Sequence, residues 1–297
     1  MRHGNSFLYG TAAALVATVP LFTQSPAQTT TPGQPAPVQV GVPQGGAGDA
    51  RRDDQARQLA EEERKRRAAV PIPKASDGHP ELGSTLGSTG VWLPGPVVPN
   101  PLGVADVPYQ PWARALANDR RRAQLEPHTR CKPSGVMRQF LTPYGAELVV
   151  IPEVKMAYVF DIGGPHTYRA VYMDGRKHPA DLKPEYYGHS IGRWEGDTLV
   201  VDTVGYNEGF WMDRGQFPHT TRLHTIEKFT RTDFITLRYE VTIDDPGAYT
   251  APFSGKLDLR WEPDVELFEY VCQESNYAPE LMLRDDEAVG RTSEFVP

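Results

Sequence analysis

From about residue 145 the chain is written in a period of two. Apolar and polar residues alternate over short runs, and those runs are separated by turn-forming residues. The pattern predicts strands near 146–152, 154–161, 166–173, 189–194, 198–204, 223–231, 235–244, 254–261 and 265–273. The separators are Ile151-Pro152-Glu153, Gly163-Gly164-Pro165, Glu195-Gly196-Asp197 and Asp244-Asp245-Pro246. Many short strands with short connections and no helical run between them make an all-β antiparallel meander. Eight or nine strands suffice to close on themselves and remove exposed edges. The expected fold is an up-and-down, lipocalin-like barrel, with a β-sandwich as the alternative. A single domain is expected over residues 80–285. Gly90-Val91-Trp92 is a candidate first strand in a Pro- and Gly-rich stretch. Trp112, Ala115, Leu116, Ala123 and Leu125 recur at helical intervals and predict a short helix ahead of the barrel, ending before Pro127.

The beginning of the chain reads as an address. Arg2 and His3 precede an apolar core from Leu8 to Phe22, and Ser25-Pro26-Ala27 forms a small-x-small cleavage pattern, so residues 1–27 are expected to be a signal peptide. That core is short for a transmembrane helix; a membrane anchor is the alternative reading, and the mature protein is expected to have no membrane span. Residues 28–48 carry no charge and four prolines and are read as a disordered tether. Residues 49–69 alternate Asp and Glu with Arg and have only Leu59 as an apolar residue in the middle, which suits a charged, solvated helix. The formal charge of −7 becomes −8 once Arg2 is removed with the leader. A chain this acidic is a poor match for nucleic acid or an anionic membrane surface. Cys131 and Cys272 are the only two cysteines. In the oxidising compartment that a leader implies, periplasmic or secreted, they are expected to form a disulfide.

Residues 187–207, YGHSIGRWEGDTLVVDTVGYN, are the most informative stretch for function. Two β-rich runs flank a turn, and an acidic side chain sits inside the VVDTV strand, where a charge needs a partner or a role. An even loop at Glu195-Gly196 places His189, Ile191, Arg193, Thr198, Val200 and Asp202 on one face. Ser190, Gly192, Trp194, Leu199, Val201 and Thr203 then share the other. The even loop separates a mixed polar face from a mostly apolar one and brings His189 near Asp202. A histidine held by a carboxylate is a candidate general base; a structural ion pair is the competing reading.

Two loops add candidates. Residues 173–179, MDGRKHP, put Asp174, Arg176 and His178 in five positions. Arg176 suits oxyanion binding, Asp174 is a second proton carrier, and His178 is a rim residue; an ordinary hydrophilic turn is the alternative. Residues 205–224 join two strands by an unusually long connection carrying Asn207, Trp211, Asp213 and His219. Aromatic and polar residues together suit a sugar or an aromatic ring, and Tyr187 and Arg193 complete the expected binding set. A loop that merely covers the barrel mouth is the alternative. His178, His189, His219 and His224 are enough ligands for zinc but form no compact metal motif, so no cofactor is expected, with a metal site assembled across strands as the alternative. No nucleophile elbow, Walker loop or dinucleotide fingerprint is present.

The blocks Arg130-Cys131-x-Pro-x-Gly, Met173-Asp174-Gly175-Arg176-x-His178-Pro179, residues 188–203 (GHSIGRWEGDTLVVDT) and Thr242-Ile243-Asp244-Asp245-Pro246 together resemble a large family of exported bacterial proteins. The similarity covers about residues 80–275. It implies a secreted, lipocalin-like protein and carries no activity with it. The chain departs at the front: the family's D-L-S-G-x-W opening is represented only by Gly90-Val91-Trp92, and the 49–69 segment is an addition.

These readings converge on an exported barrel enzyme performing general acid–base chemistry (hydrolysis, elimination or isomerisation) on a small polar organic molecule such as a glycoside or an aromatic natural product. His189 is the expected base, Asp202 its orienting partner, and Arg176 or Arg193 the anion stabiliser. The alternatives are a non-catalytic carrier or sensor using the barrel cavity, and an assembly protein docking through its charged helix.

Overall fold

The structure, a computed structural model, describes residues 47–272 apart from 86–87, 96–101, 105, 125 and 164–166, with side chains from residue 54 onward. The expected leader, almost all of the tether and the last part of the 80–285 domain lie outside the described residues. The chain divides into two compact units, residues 1–52 and 53–297, and the second contains everything that follows except the first turns of one helix.

Nine strands close into a barrel in sequence order: β1 Gly90–Leu93, β2 Ala146–Ile151, β3 Met156–Asp161, β4 Tyr168–Tyr172, β5 His189–Glu195, β6 Thr198–Val204, β7 His224–Asp233, β8 Thr236–Asp244 and β9 Phe253–Pro263. Among the described residues two α-helices precede or interrupt them, α1 Ala47–Ala68 and α2 Pro111–Ala123. The described side chains of α1 are almost all solvent-exposed, linked by Arg–Glu pairs such as Arg64–Glu61. Among the described residues no helix is long and apolar enough to cross a membrane.

Two expectations about the strands are corrected. Residues 265–272 form no strand. β9 continues to Pro263 and is closed by β1, which pairs with it from Gly90↔Pro263 to Leu93↔Arg260. The chain then leads to Cys272, bonded to Cys131. Nor is the meander antiparallel throughout, because β4 and β5 run parallel, Val171 beside Ser190 and Tyr172 beside Ile191. A closed ring with an odd number of strands cannot alternate direction all the way round. The long connection 173–188 carries the chain back to make the parallel β4–β5 contact.

The interior is filled. A 3-10 turn at Arg138–Leu141 brings Phe140 against the inward rings of Phe229 and Tyr239, with centroids 5.3 and 4.9 Å away. Trp92 and Trp261 pack at 4.9 Å. Further along lies a dry polar layer. Arg169 of β4 donates to Ser190 Oγ (2.9 Å), Thr203 Oγ1 (2.8 Å) and both carboxylate oxygens of Glu227, and Tyr239 donates to Glu227 at 2.9 Å. Every member is buried. A buried ion pair survives only when its hydrogen-bonding capacity is met in this way.

Candidate functional site

The β5–β6 hairpin turns through Gly196-Asp197, with Glu195 opposite Thr198 and Gly196 at φ +61°, a conformation that glycine adopts without steric cost. The loop has two residues, as the parity argument requires, but it sits one position further along than Glu195-Gly196. His189 therefore faces Val204 and Asp202 faces Ile191, a shift of two that keeps both side chains on one face.

That face is the outside of the barrel. Ser190, Leu199, Val201 and Thr203 are the buried, inward residues, whereas His189 and Asp202 are partly exposed. The pair therefore does not face the barrel lumen. The small polar residues Ser190 and Thr203 point inward, where Arg169 of β4 donates to both and is itself held by Glu227 of β7.

On the outer face four titratable side chains from four segments form one continuous chain. His178 Nδ1 lies 2.8 Å from His189 Nδ1, and His178 Nε2 lies 3.2 Å from Asp202 Oδ1. His224, at the start of β7, places Nε2 2.9 Å from the same Oδ1. His189 touches Asp202 only through His178, so the orienting partner of the expected base is a second imidazole. The group is open to solvent: His178, Asp202 and His224 side chains are 20, 27 and 35% exposed. Tyr172 of β4 stacks on His189 (5.2 Å, 21°), and Arg176 lies 4.0 Å over the Tyr172 ring. Burial, then the neighbouring His178 and Arg176, lower the pKa of His189 and keep it neutral.

The acceptors fix the tautomers. A carboxylate can only accept, so His178 Nε2 and His224 Nε2 carry the protons that reach Asp202. With its Nε2 proton on Asp202, His178 can accept at Nδ1 from His189 Nδ1–H. That leaves Nε2 as the accepting nitrogen of His189, the atom a general base requires.

The remaining candidates are distributed elsewhere. Asp174 grips Arg176 through both carboxylate oxygens, and that hydrogen-bonded pairing holds the Asp174 carboxyl down at about 2. It stays ionised, anchoring Arg176 rather than carrying protons. Arg193 is exposed and paired with Glu195. Asn207 Oδ1 caps the Gly209 amide. The rest of the long loop folds inward. Trp211 is buried beneath Arg120, whose guanidinium lies 4.7 Å from the ring. Asp213 Oδ1 accepts the amides of Gly215, Gln216 and Phe217. His219 is buried with Nε2 3.0 Å from the Phe210 carbonyl. Tyr187 is buried and donates to Asp161 at 3.3 Å, a carboxylate also held by Gln139, Ser134 and the Gly163 amide. None of Tyr187, Trp211, Asp213 and His219 is bonded to the His178–His189–Asp202–His224 group.

His224 was legible in the sequence as a residue of the 205–224 connection and as a possible metal ligand but not as a partner of Asp202, and Tyr172 was not singled out. The signal for both was the alternation itself, since Asp202, Ile226 and His224 share a face once Asp202 pairs with Ile226. Of the four histidines weighed for zinc, three gather and His219 does not. Among the described residues no group of three or more His, Cys, Asp or Glu side chains is placed to hold a metal ion. His178 uses one ring nitrogen on His189 and the other on Asp202. No family model matches the chain, and no curated protein or solved structure resembles it beyond chance.

Proposed function

We propose that the protein is an exported enzyme using general acid–base chemistry on a small polar organic molecule, with His189 as the base. The observation that carries this reading is the unbroken, solvent-accessible chain His189–His178–Asp202. A proton taken at His189 Nε2 leaves a cation whose Nδ1–H points at His178, which in turn donates to the Asp202 carboxylate. The charge is thus stabilised through a second imidazole. His224, bonded to the same Oδ1, fixes the carboxylate in place. Proton transfer to or from carbon, or activation of water, fits this machinery; hydrolysis, elimination and isomerisation all draw on it. The Cys131–Cys272 bond supports an oxidising compartment. No comparable support exists for a carrier, because the lumen is occupied by Phe140, the tryptophans and the Arg169–Glu227 layer.

Imidazole nitrogen NMR on the whole protein tests the proposal without a substrate. His189 should be protonated at Nδ1 and bare at Nε2 near neutral pH. The opposite tautomer would remove the base. On any substrate that is turned over, His189→Ala should lower kcat about 10²–10⁴-fold, and unchanged turnover would end the proposal.

A further inference from the structure

We infer that a single pyranose ring docks in a notch over Ala170, beside His189, so that the substrate class of the site is a glycoside. The placement rests on His189 being the base; the test below does not. On the outer face of β3 stand Met156, Tyr158 and Phe160, and on that of β4 stand Tyr168, Ala170 and Tyr172. The register sets Phe160 opposite Tyr168, Tyr158 opposite Ala170, and Met156 opposite Tyr172. On the other side, Val171 pairs with Ser190 in parallel, and one step back along both strands puts Ala170 abreast of His189. The one small side chain in this array is therefore ringed by Tyr158, Tyr168, Tyr172 and the imidazole of the base. Ala170 is itself partly exposed, and Tyr168 is 60% exposed, so this part of the outer face reaches solvent.

The rings make a platform. Tyr158, Phe160 and Tyr168 contact one another with centroids 5.9, 6.0 and 6.1 Å apart. Tyr168 and Tyr172 are four residues apart on one strand, about 13 Å at the usual rise; the Tyr172 ring is engaged by His189 and Arg176, so the sugar ring lies against the Tyr158–Phe160–Tyr168 side of Ala170. An aromatic face carries negative potential and attracts polarised C–H bonds, of which a pyranose presents a whole face.

The hydroxyls select a sugar over a plain arene. Each buried tyrosine hydroxyl is used inside the protein: Tyr187 on Asp161, Tyr206 on Thr225, Tyr239 on Glu227 and Tyr249 on the Pro218 carbonyl. Among the described residues, the hydroxyls of Tyr158, Tyr168 and Tyr172 have no protein partner. Three open phenol groups around an apolar floor match a ligand with a C–H face and a rim of hydroxyls. The ring lying there is abreast of the His189 side chain.

Saturation-transfer NMR and calorimetry on the full chain test this, using methyl β-D-glucopyranoside, methyl β-D-galactopyranoside and methyl α-D-mannopyranoside as probes and phenol as the competing class. At least one glycoside should bind saturably. Ala170→Trp, which fills an exposed surface notch, and Tyr168→Ala should each weaken binding at least tenfold while thermal melting and circular dichroism confirm folding. Asp202→Asn should bind the glycoside as the wild type does, even where it abolishes turnover, so loss of chemistry and loss of docking are read separately. The inference is overturned if no glycoside binds, if phenol binds and the glycosides do not, or if binding persists in both folded notch variants.

Discussion

Glu227→Gln should be among the most damaging single substitutions in the barrel. The Glu227 and Arg169 side chains are 0 and 1% exposed. Glu227 accepts from both terminal nitrogens of Arg169 and from Tyr239 OH. Glutamine keeps the volume but removes the charge and turns an NH2 group toward a guanidinium or a phenol O–H. It leaves Arg169 charged and unpaired in a dry interior. Breaking a buried pair from one side costs about 3–5 kcal/mol. For a domain of this size each kcal/mol lowers Tm by roughly 2–4 °C, so a fall of about 6–20 °C is expected. The double variant Arg169→Met, Glu227→Leu removes both charges. Ser190 and Thr203 stay bonded to each other at 2.9 Å, and only Tyr239 OH loses a partner outright. It should therefore be more stable than Glu227→Gln alone. Urea unfolding monitored by circular dichroism gives all the free energies needed. A loss below about 1 kcal/mol for Glu227→Gln would mean that water reaches the pair, and the dry-layer argument would be wrong.

Two further outcomes follow from other parts of the structure. Cys131 and Cys272 are 141 residues apart, and a loop of that length yields about 5 kcal/mol from closure entropy as an upper figure. Cys272→Ser, or reductant, should lower the urea midpoint by an amount equivalent to about 2–5 kcal/mol; an unchanged midpoint would show that the unfolded chain gains little freedom. Burial holds His219 neutral and pushes its pKa down to about 4. Between its ordinary value and about 4 the unfolded chain binds a proton that the folded chain refuses. Stability is therefore lost as pH falls through that window, by about 3 kcal/mol in all. Buried Asp213, raised to about 6, acts in the opposite direction, so the difference between wild type and His219→Gln isolates the effect. The variant should lose less stability than wild type between pH 7 and 4.5, and parallel urea curves would refute the assignment.

The alternation that made β6 legible to the residue does not say which face looks inward. Face grouping is a local property of a strand, because the side-chain period is two. Orientation was decided by Arg169 and Glu227, residues that do not belong to the hairpin. The parallel β4–β5 contact was illegible for a related reason, since 173–188 reads as a plain loop and nothing in it announces a return crossing. The last strand was misplaced because β1, only four residues long and preceded by Pro and Gly, took the edge of β9 that 265–273 was expected to use. The long 205–224 loop misled through composition. Its aromatic and polar residues are the kind that bind ligands, but here the carboxylate of Asp213 binds the loop's own amides.

The hairpin divides its polar residues between two physical regimes. Ser190 and Thr203 face inward, bonded to each other and to a guanidinium, in a layer whose members are closed to water. His189 and Asp202, on alternate residues of the same strands, face outward in a chain that ends at an accepting imidazole nitrogen. A fully satisfied network lowers energy by being complete and has nothing left to offer a substrate. Proton transfer needs the reverse: a group held rigidly on one side and unsatisfied on the other. On that criterion the inward set is suited to holding the barrel together and the outward set to the proposed chemistry, and the two can be mutated independently because each lies on its own face of one sheet.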